Sequence, residues 1–166
     1  LDGNYPVGTG NVALGNTALD SNVSGVSNTA IGADALTANT ASFNTAMGYQ
    51  AGFLNTTGVD NVFIGSTAGY SSNVAAGRNT FVGHEAGYFL TTGSNNTILG
   101  RYNGYQGGLD IRTSSNNIVL SDGDGNPRLS INSSGVISGD GSGLTGVGGL
   151  TTLVADNVSP ISSANA

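Results

Sequence analysis

The sequence contains no cysteine and no lysine, and it holds a single histidine and a single glutamate. The absence of cysteine excludes a disulfide framework and thiolate metal sites. Charged residues make up 8% of the chain and the formal net charge is −6, whereas soluble domains carry roughly 25% charged residues. An acidic chain with so few cations is a poor partner for nucleic acid or an anionic membrane surface, so we expect neither.

Long apolar runs are also missing, since no segment approaches the ~18 residues of a bilayer-spanning helix, and we expect no membrane insertion. Glycine or asparagine interrupts nearly every window of ten residues, which disfavours helix throughout. A hydrophobic content of 37%, with its apolar residues at regular positions, argues against disorder. The composition therefore predicts an all-β protein.

What the sequence does contain is a short repeat. Its five-residue core reads asparagine, threonine or valine, an apolar residue, then leucine, isoleucine, valine or methionine, and finally glycine. The cores begin at Asn11, Asn28, Asn44, Asn61, Asn79 and Asn96, which lie 17, 16, 17, 18 and 17 residues apart. A weaker seventh copy begins at Asn117. Coils of 16–18 residues are too short for a helical repeat or a propeller blade, and they predict a short parallel β-solenoid with two strands and two tight turns per coil.

Both ends of each core have a predicted structural role. The opening asparagines would stack on one another from coil to coil and form a hydrogen-bonded ladder. The closing glycines would occupy corners where the backbone needs a positive φ. These corner glycines are Gly15, Gly32, Gly48, Gly65, Gly83 and Gly100.

The two faces of the core strand are both apolar, because side chains alternate with period two. One face carries Leu14, Ile31, Met47, Ile64, Val82 and Leu99, and the other carries Ala13, Ala30, Ala46, Phe63, Phe81 and Ile98. A narrow solenoid has one interior, so the second face needs burial elsewhere. We favour a subunit interface formed by Phe63, Phe81 and Ile98. The alternative is a broader two-sheet core within one chain.

Aromatic residues recur at the ninth position after the core asparagine. They are Phe53, Tyr70, Tyr88 and Tyr105. Aromatic faces suit the C–H surfaces of sugars, so this column is a candidate glycan platform. Packing at a corner or a subunit seam is the interpretation we favour.

The repeats resemble a known family of fibres. Asn28-Thr-Ala-Ile-Gly32, Tyr49-Gln-Ala-Gly52 and Asn55-Thr-Thr-Gly58 are similar to head repeats of trimeric autotransporter adhesins of the YadA-like kind, and more so to repeats of bacteriophage tail fibres. The likeness covers roughly residues 8–105. It implies a left-handed β-roll and a homotrimer of parallel rolls. The coils here are longer than the most compact adhesin repeats.

Three regions are predicted along the chain. Residues 1–107 form the β-roll, residues 108–138 form a strand module with a hairpin turn near 122–127, and residues 139–166 form a Gly/Ser-rich connector and tail. The connector is similar to linkers of phage fibres.

Candidates for metal binding and catalysis are weak. Asp122, Asp124 and Asn126 have the spacing of a calcium loop, but Pro127 and Ser133 stand where that loop needs glycine and glutamate. We therefore predict a plain turn, no metal site and no cofactor. No catalytic residues are assigned, because the lone His84 and Glu85 lie in no triad or carboxylate-pair pattern.

The sequence thus predicts a structural and adhesive segment of a trimeric extracellular fibre, without enzymatic activity. Its expected partners are two copies of itself, a host-surface glycan or protein receptor, and other fibre or virion proteins. The alternatives are a bacterial surface adhesin or self-assembling extracellular filament, and a trimeric capsule-degrading tailspike enzyme. Ice binding by a column of threonines is less favoured than these functions, because Val12 and Val62 interrupt the column.

Overall fold

The computed structural model describes residues 8–72 and 77–139, which form strands and turns without any helix. No segment within those ranges is a helix that could cross a membrane. The strands are β1 (Val12–Leu14), β2 (Thr29–Ile31), β3 (Thr45–Met47), β4 (Val62–Ile64), β5 (Thr80–Val82), β6 (Thr97–Leu99), β7 (Tyr105–Gln106), β8 (Leu109–Asp110), β9 (Ile118–Ser121), β10 (Pro127–Ile131) and β11 (Ile137–Gly139).

Each repeat contributes one strand to a parallel sheet, and equivalent positions lie side by side. Thr29 pairs with Thr45 and Ala30 with Ala46, and the same register continues from β1 to β6 and then to β9. Hydrogen bonds also join successive coils outside the strands, for example from the Leu36 amide to the Ala51 carbonyl at 3.0 Å. The predicted all-β fold and parallel β-solenoid are confirmed, with about six turns.

The strands are shorter than the sequence predicts. Each solenoid coil has one strand of three or four residues, and the segment expected to form a second strand is a series of turns. In the third coil the backbone takes a positive φ at Gln50 (53°) and again at Gly52 (62°). Alternating left-handed residues prevent an extended conformation, so the second strand of each coil is a wrong prediction.

The core is filled from one chain. The middle residue of each of the strands β2 to β6 points inward, and Phe63, Phe81 and Ile98 have no accessible surface. Turn glycines lie across the interior, since a Cβ on Gly69 would collide with the Phe63 ring, and turn alanines such as Ala86 are also fully buried. Placing Phe63, Phe81 and Ile98 at a subunit interface is therefore corrected: these side chains fill the solenoid interior and have no surface to offer a partner.

Side-chain volume is balanced along this core. The first coils place alanine on the strand and leucine in the turn, as with Ala30 and Leu36. In the fifth coil Phe81 stands on the strand and Gly87 in the turn, and a Cβ on Gly87 would lie 2.6 Å from the Phe81 ring. In these coils a large side chain on one side of the interior is matched by a small residue on the other, as close packing requires.

The C-terminal strands extend the same sheet. β9 pairs in parallel with β6, then β10 pairs antiparallel with β9 and β11 antiparallel with β10. The sheet therefore runs past residue 107, where the β-roll was predicted to end. A small antiparallel hairpin, β7–β8, is inserted between β6 and β9. Residues 140–166 of the predicted connector and tail lie outside the described residues.

The turn between β9 and β10 is organised around one carboxylate. Asp122 accepts hydrogen bonds from the Asn126 amide at 2.9 Å and the Asp124 amide at 3.0 Å, and it pairs with the Arg128 guanidinium. With its oxygens engaged in this way, Asp122 serves the turn that the sequence predicts.

Acid should loosen this turn at unusually low pH. The hydrogen bond from the Asn126 amide, with those from other groups of the turn, lowers the pKa of Asp122 to about 2. A depressed pKa stabilises the fold fully above the ordinary value of 3.8, and the contribution is lost as the pH falls towards 2. We expect NMR to place the Asp122 titration midpoint near pH 2, and Asp122→Asn to abolish that transition. A midpoint near the ordinary value would contradict the hydrogen-bonded turn.

Candidate functional site

The outward side of the parallel sheet is an uncharged face, which we call the strand face. Its first column is threonine, valine and isoleucine: Val12, Thr29, Thr45, Val62, Thr80, Thr97 and Ile118. Its second column is aliphatic: Leu14, Ile31, Met47, Ile64, Val82, Leu99 and Leu120. The end residue Leu14 is 49% exposed and Met47 is 44% exposed. Seven strands at ~4.8 Å spacing make this face about 29 Å long.

The core asparagines lie one above another inside the solenoid. The Oδ1 atom of each accepts a hydrogen bond from the main-chain amide of the next, at 2.8 Å from Asn28 to Asn11 and 3.0 Å from Asn44 to Asn28. The side-chain nitrogen donates to a turn carbonyl, as from Asn28 to Ala41 at 2.8 Å. The ladder thus links side chains to backbone, and it continues through Asn61, Asn79, Asn96 and Asn117.

A second buried polar column was missed by the sequence analysis. Asn22, Asn39 and Asn55 are 0–4% exposed, and Ser72 takes the equivalent place in the next coil. The Asn55 side-chain amide donates to Asn39 Oδ1 at 2.9 Å. The signal was present in the sequence, since these four residues recur 17, 16 and 17 positions apart.

The corner glycines all have the positive φ that a corner requires, between 105° and 140°. Each stands directly against the backbone of the next corner, so that a Cβ on Gly48 would lie 2.5 Å from the Gly65 carbonyl oxygen. No side chain fits between successive coils at this position.

Three of the four residues of the predicted aromatic column stack on one another. Phe53 stacks on Tyr70 with ring centroids 5.2 Å apart, and Tyr70 stacks on Tyr88 at 4.9 Å. Tyr105 belongs to the inserted hairpin, where its ring lies 4.4 Å from the Arg112 guanidinium carbon. Phe89, which the sequence analysis did not single out, meets the Tyr88 ring edge-on at 4.8 Å.

A concave site lies where the β7–β8 hairpin meets the edge of the solenoid, and we call it the hairpin pocket. Its volume is about 330 Å³. Its lining consists of Ser71, Phe89, Thr91, Asp110, Arg112 and Thr113. The repeat pattern does not predict this site, although the lengthening of the last coil interval from 17 to 21 residues marks the insertion that builds it.

Asp110 and Arg112 form a two-point ion pair at the hairpin pocket. Arg112 Nε donates to Asp110 Oδ1 at 3.0 Å and Nη2 donates to Oδ2 at 2.8 Å. The side-chain hydrogen bond from Arg112 lowers the pKa of Asp110 below its ordinary value, so this carboxyl is ionised at neutral pH. The pair presents a fixed, planar, hydrogen-bonding surface with no net charge.

Several titratable groups outside the hairpin pocket make structural contacts. Glu85 pairs with Arg101 at 2.9 Å, while the exposed His84 lies 3.9 Å from Glu85. Burial raises the pKa of Tyr102, whose hydroxyl donates to the Leu109 carbonyl at 2.8 Å and so fixes the inserted hairpin. Among residues 8–72 and 77–139, no three acidic, histidine or cysteine side chains group as metal ligands.

Comparisons with protein-family models, curated proteins and solved structures yield no match to this chain.

Proposed function

We propose that this chain is a structural and adhesive segment of a homotrimeric extracellular fibre of the phage tail-fibre kind, built from left-handed rolls. It attaches to a host-surface glycan or protein by non-covalent, multivalent binding, and it is joined to other fibre or virion proteins. The observation that carries the proposal is the strand face, which has no charged residue and has one column of entirely apolar side chains along the solenoid.

The strand face suits association with copies of itself. Its second column consists entirely of leucine, isoleucine, valine and methionine, and Leu99 is 43% exposed. Every coil repeats the same two positions at the same spacing, so parallel copies bring identical columns together along their full length. Three rolls packed around one axis would bury this face on each of them, as the resemblance of the repeats implies. The corrected interface therefore contains Met47, Ile64 and Val82.

Adhesion in such a fibre needs no reaction chemistry. Three parallel chains multiply weak contacts, because the second and third binding events proceed at a high effective concentration. Low charge and an exterior rich in asparagine, serine and threonine limit indiscriminate electrostatic attraction. These properties support a spacer with binding sites on its edges.

Native mass by light scattering tests the assembly. We expect about 49 kDa, three times the chain mass of 16.4 kDa. The double variant Ile64→Lys, Val82→Lys should dissociate, because it would bury six ammonium groups around the axis without partners. The control Thr92→Lys lies at an exposed turn and should leave the mass unchanged. A monomeric wild-type chain would overturn the fibre proposal, whereas an intact trimer of the double variant would place the interface elsewhere.

A further inference from the structure

We propose that the hairpin pocket is a binding site for a neutral saccharide of one or two rings. The inference rests on the proposed adhesive function and names the chemistry of the receptor that it would contact. It is carried by an exposed aromatic ring, a planar ion pair and several hydroxyl groups that line one concave surface.

The aromatic wall is Phe89, which is 46% exposed. Its ring is held edge-on by Tyr88, and Tyr88 is in turn stacked on Tyr70. The stacked column, considered from the sequence as a glycan platform in itself, therefore supports the ring that lines the pocket. A ring fixed before binding offers an apolar surface to sugar C–H groups at little entropic cost.

The polar wall is the Asp110–Arg112 pair. Two of the five guanidinium N–H groups are used by Asp110, which leaves donors for a ligand. Within the described residues, Asp110 Oδ2 accepts from Arg112 Nη2 alone. The Tyr105 ring beneath Arg112 keeps the guanidinium in place. A neighbouring donor and acceptor on a rigid plane match the hydroxyls of a sugar, each of which both donates and accepts.

Hydroxyl groups complete the lining. Ser71 and Thr113 stand at the pocket, and Thr91 Oγ1 donates to the Arg112 carbonyl at 3.3 Å, which ties the solenoid edge to the inserted hairpin. The site therefore combines one apolar wall with a small number of polar groups on a supported backbone, the usual composition of a small-molecule site.

Charge and size select the ligand class. The ion pair has no net charge, and the net charge of −6 on the chain disfavours an anionic sugar. A volume of about 330 Å³ lies at the lower end of the range for ligand pockets and is too small for a folded protein epitope. One pocket per chain would give three equivalent sites on a trimer, so weak binding is amplified by avidity.

The test is NMR titration of the whole chain with a panel of neutral saccharides, namely glucose, galactose, mannose, N-acetylglucosamine, lactose and maltose, beside glucuronic acid and sialic acid. We expect shifts of the Phe89, Tyr105 and Arg112 signals with at least one neutral sugar, and at least tenfold weaker binding in Phe89→Ala and in Arg112→Gln. Phe43→Ala is the matched control, because Phe43 is 57% exposed and does not line the pocket, and its affinity should equal that of the wild type.

Three results would overturn the proposal: no pocket shifts with any neutral sugar, tighter binding of the acidic sugars, or unchanged affinity in both pocket variants. Light scattering on the same samples separates this test from that of the fibre proposal. A trimer without sugar binding removes only the pocket assignment, whereas a monomer removes the fibre proposal even if a sugar binds. Spectra of the variants that match the wild type away from the pocket exclude loss of folding as the cause.

Discussion

Gly65→Val is expected to destabilise the solenoid by about 2–6 kcal/mol, a large share of the 5–15 kcal/mol typical of a folded domain. Gly65 has a φ of 130°, where a β-branched residue is strained at a cost of roughly 1–3 kcal/mol. An added Cβ would also collide with the Gly83 carbonyl oxygen and lie 2.6 Å from the Gly83 carbonyl carbon. The colliding atoms are backbone of the next coil, so relief requires separating the coils, for roughly another 1–3 kcal/mol.

Two other glycines separate these causes in the same urea or thermal unfolding experiment, at equal chain concentration. Gly108 has a φ of 82° with open space around it, so Gly108→Val introduces strain without a collision. Gly123 also has open space, and its φ lies outside the left-handed region, so Gly123→Val should have little effect. The expected order of destabilisation is Gly65, then Gly108, then Gly123. Equal stability of the Gly65 and Gly123 variants would contradict the corner geometry.

Asn44→Ala is the second large effect, at about 1.5–4.5 kcal/mol. The Asn44 side chain is fully buried, its Oδ1 accepts from the Asn61 amide at 3.0 Å, and its Nδ2 donates to the Gly58 carbonyl at 2.8 Å. Alanine would leave the buried Asn61 amide without this acceptor, whereas the Gly58 carbonyl would keep its hydrogen bond from Asn55 Nδ2 at 3.1 Å. An unsatisfied buried amide costs roughly 1–3 kcal/mol, and the lost bond to the carbonyl about a further 0.5–1.5 kcal/mol.

Asn16→Ala is the matched control for the ladder, since Asn16 is exposed on the solenoid edge and its replacement should change stability by less than about 0.5 kcal/mol. Hydrogen exchange on the Asn44 variant should show faster exchange of the Asn61 amide. If the two variants unfold at the same denaturant concentration, the ladder is not what holds successive coils together.

The wrong prediction of the subunit interface shows the limit of a two-residue period. Alternation placed Phe63, Phe81 and Ile98 on one face and Ile64 and Val82 on the other, but apolar residues on both faces do not indicate which one is inside. The turn glycines identify the inner face, because they leave the space that the aromatic rings occupy. A Cβ on Gly87 would strike Phe81. Those residues are six positions apart in sequence, and only folding brings them together across the core.

The hairpin pocket could not be predicted for a related reason. It arises where the chain departs from its repeat, so periodicity assigns no place to Asp110 or Arg112. Phe89 reads in sequence as one more exposed aromatic residue. Its position at one pocket with Asp110 and Arg112 follows from how the inserted hairpin folds back on the solenoid.

The sequence by itself determined the all-β class, the coil length, the asparagine ladder positions and the glycine corners, because a local pattern repeated six times encodes one backbone path and each copy pairs with the next. The tertiary structure alone decided which strand face is the interior, reduced each coil to one short strand, and built a pocket from the inserted hairpin. Those outcomes depend on side-chain volume and on contacts between coils, and neither quantity is written into the period of the repeat.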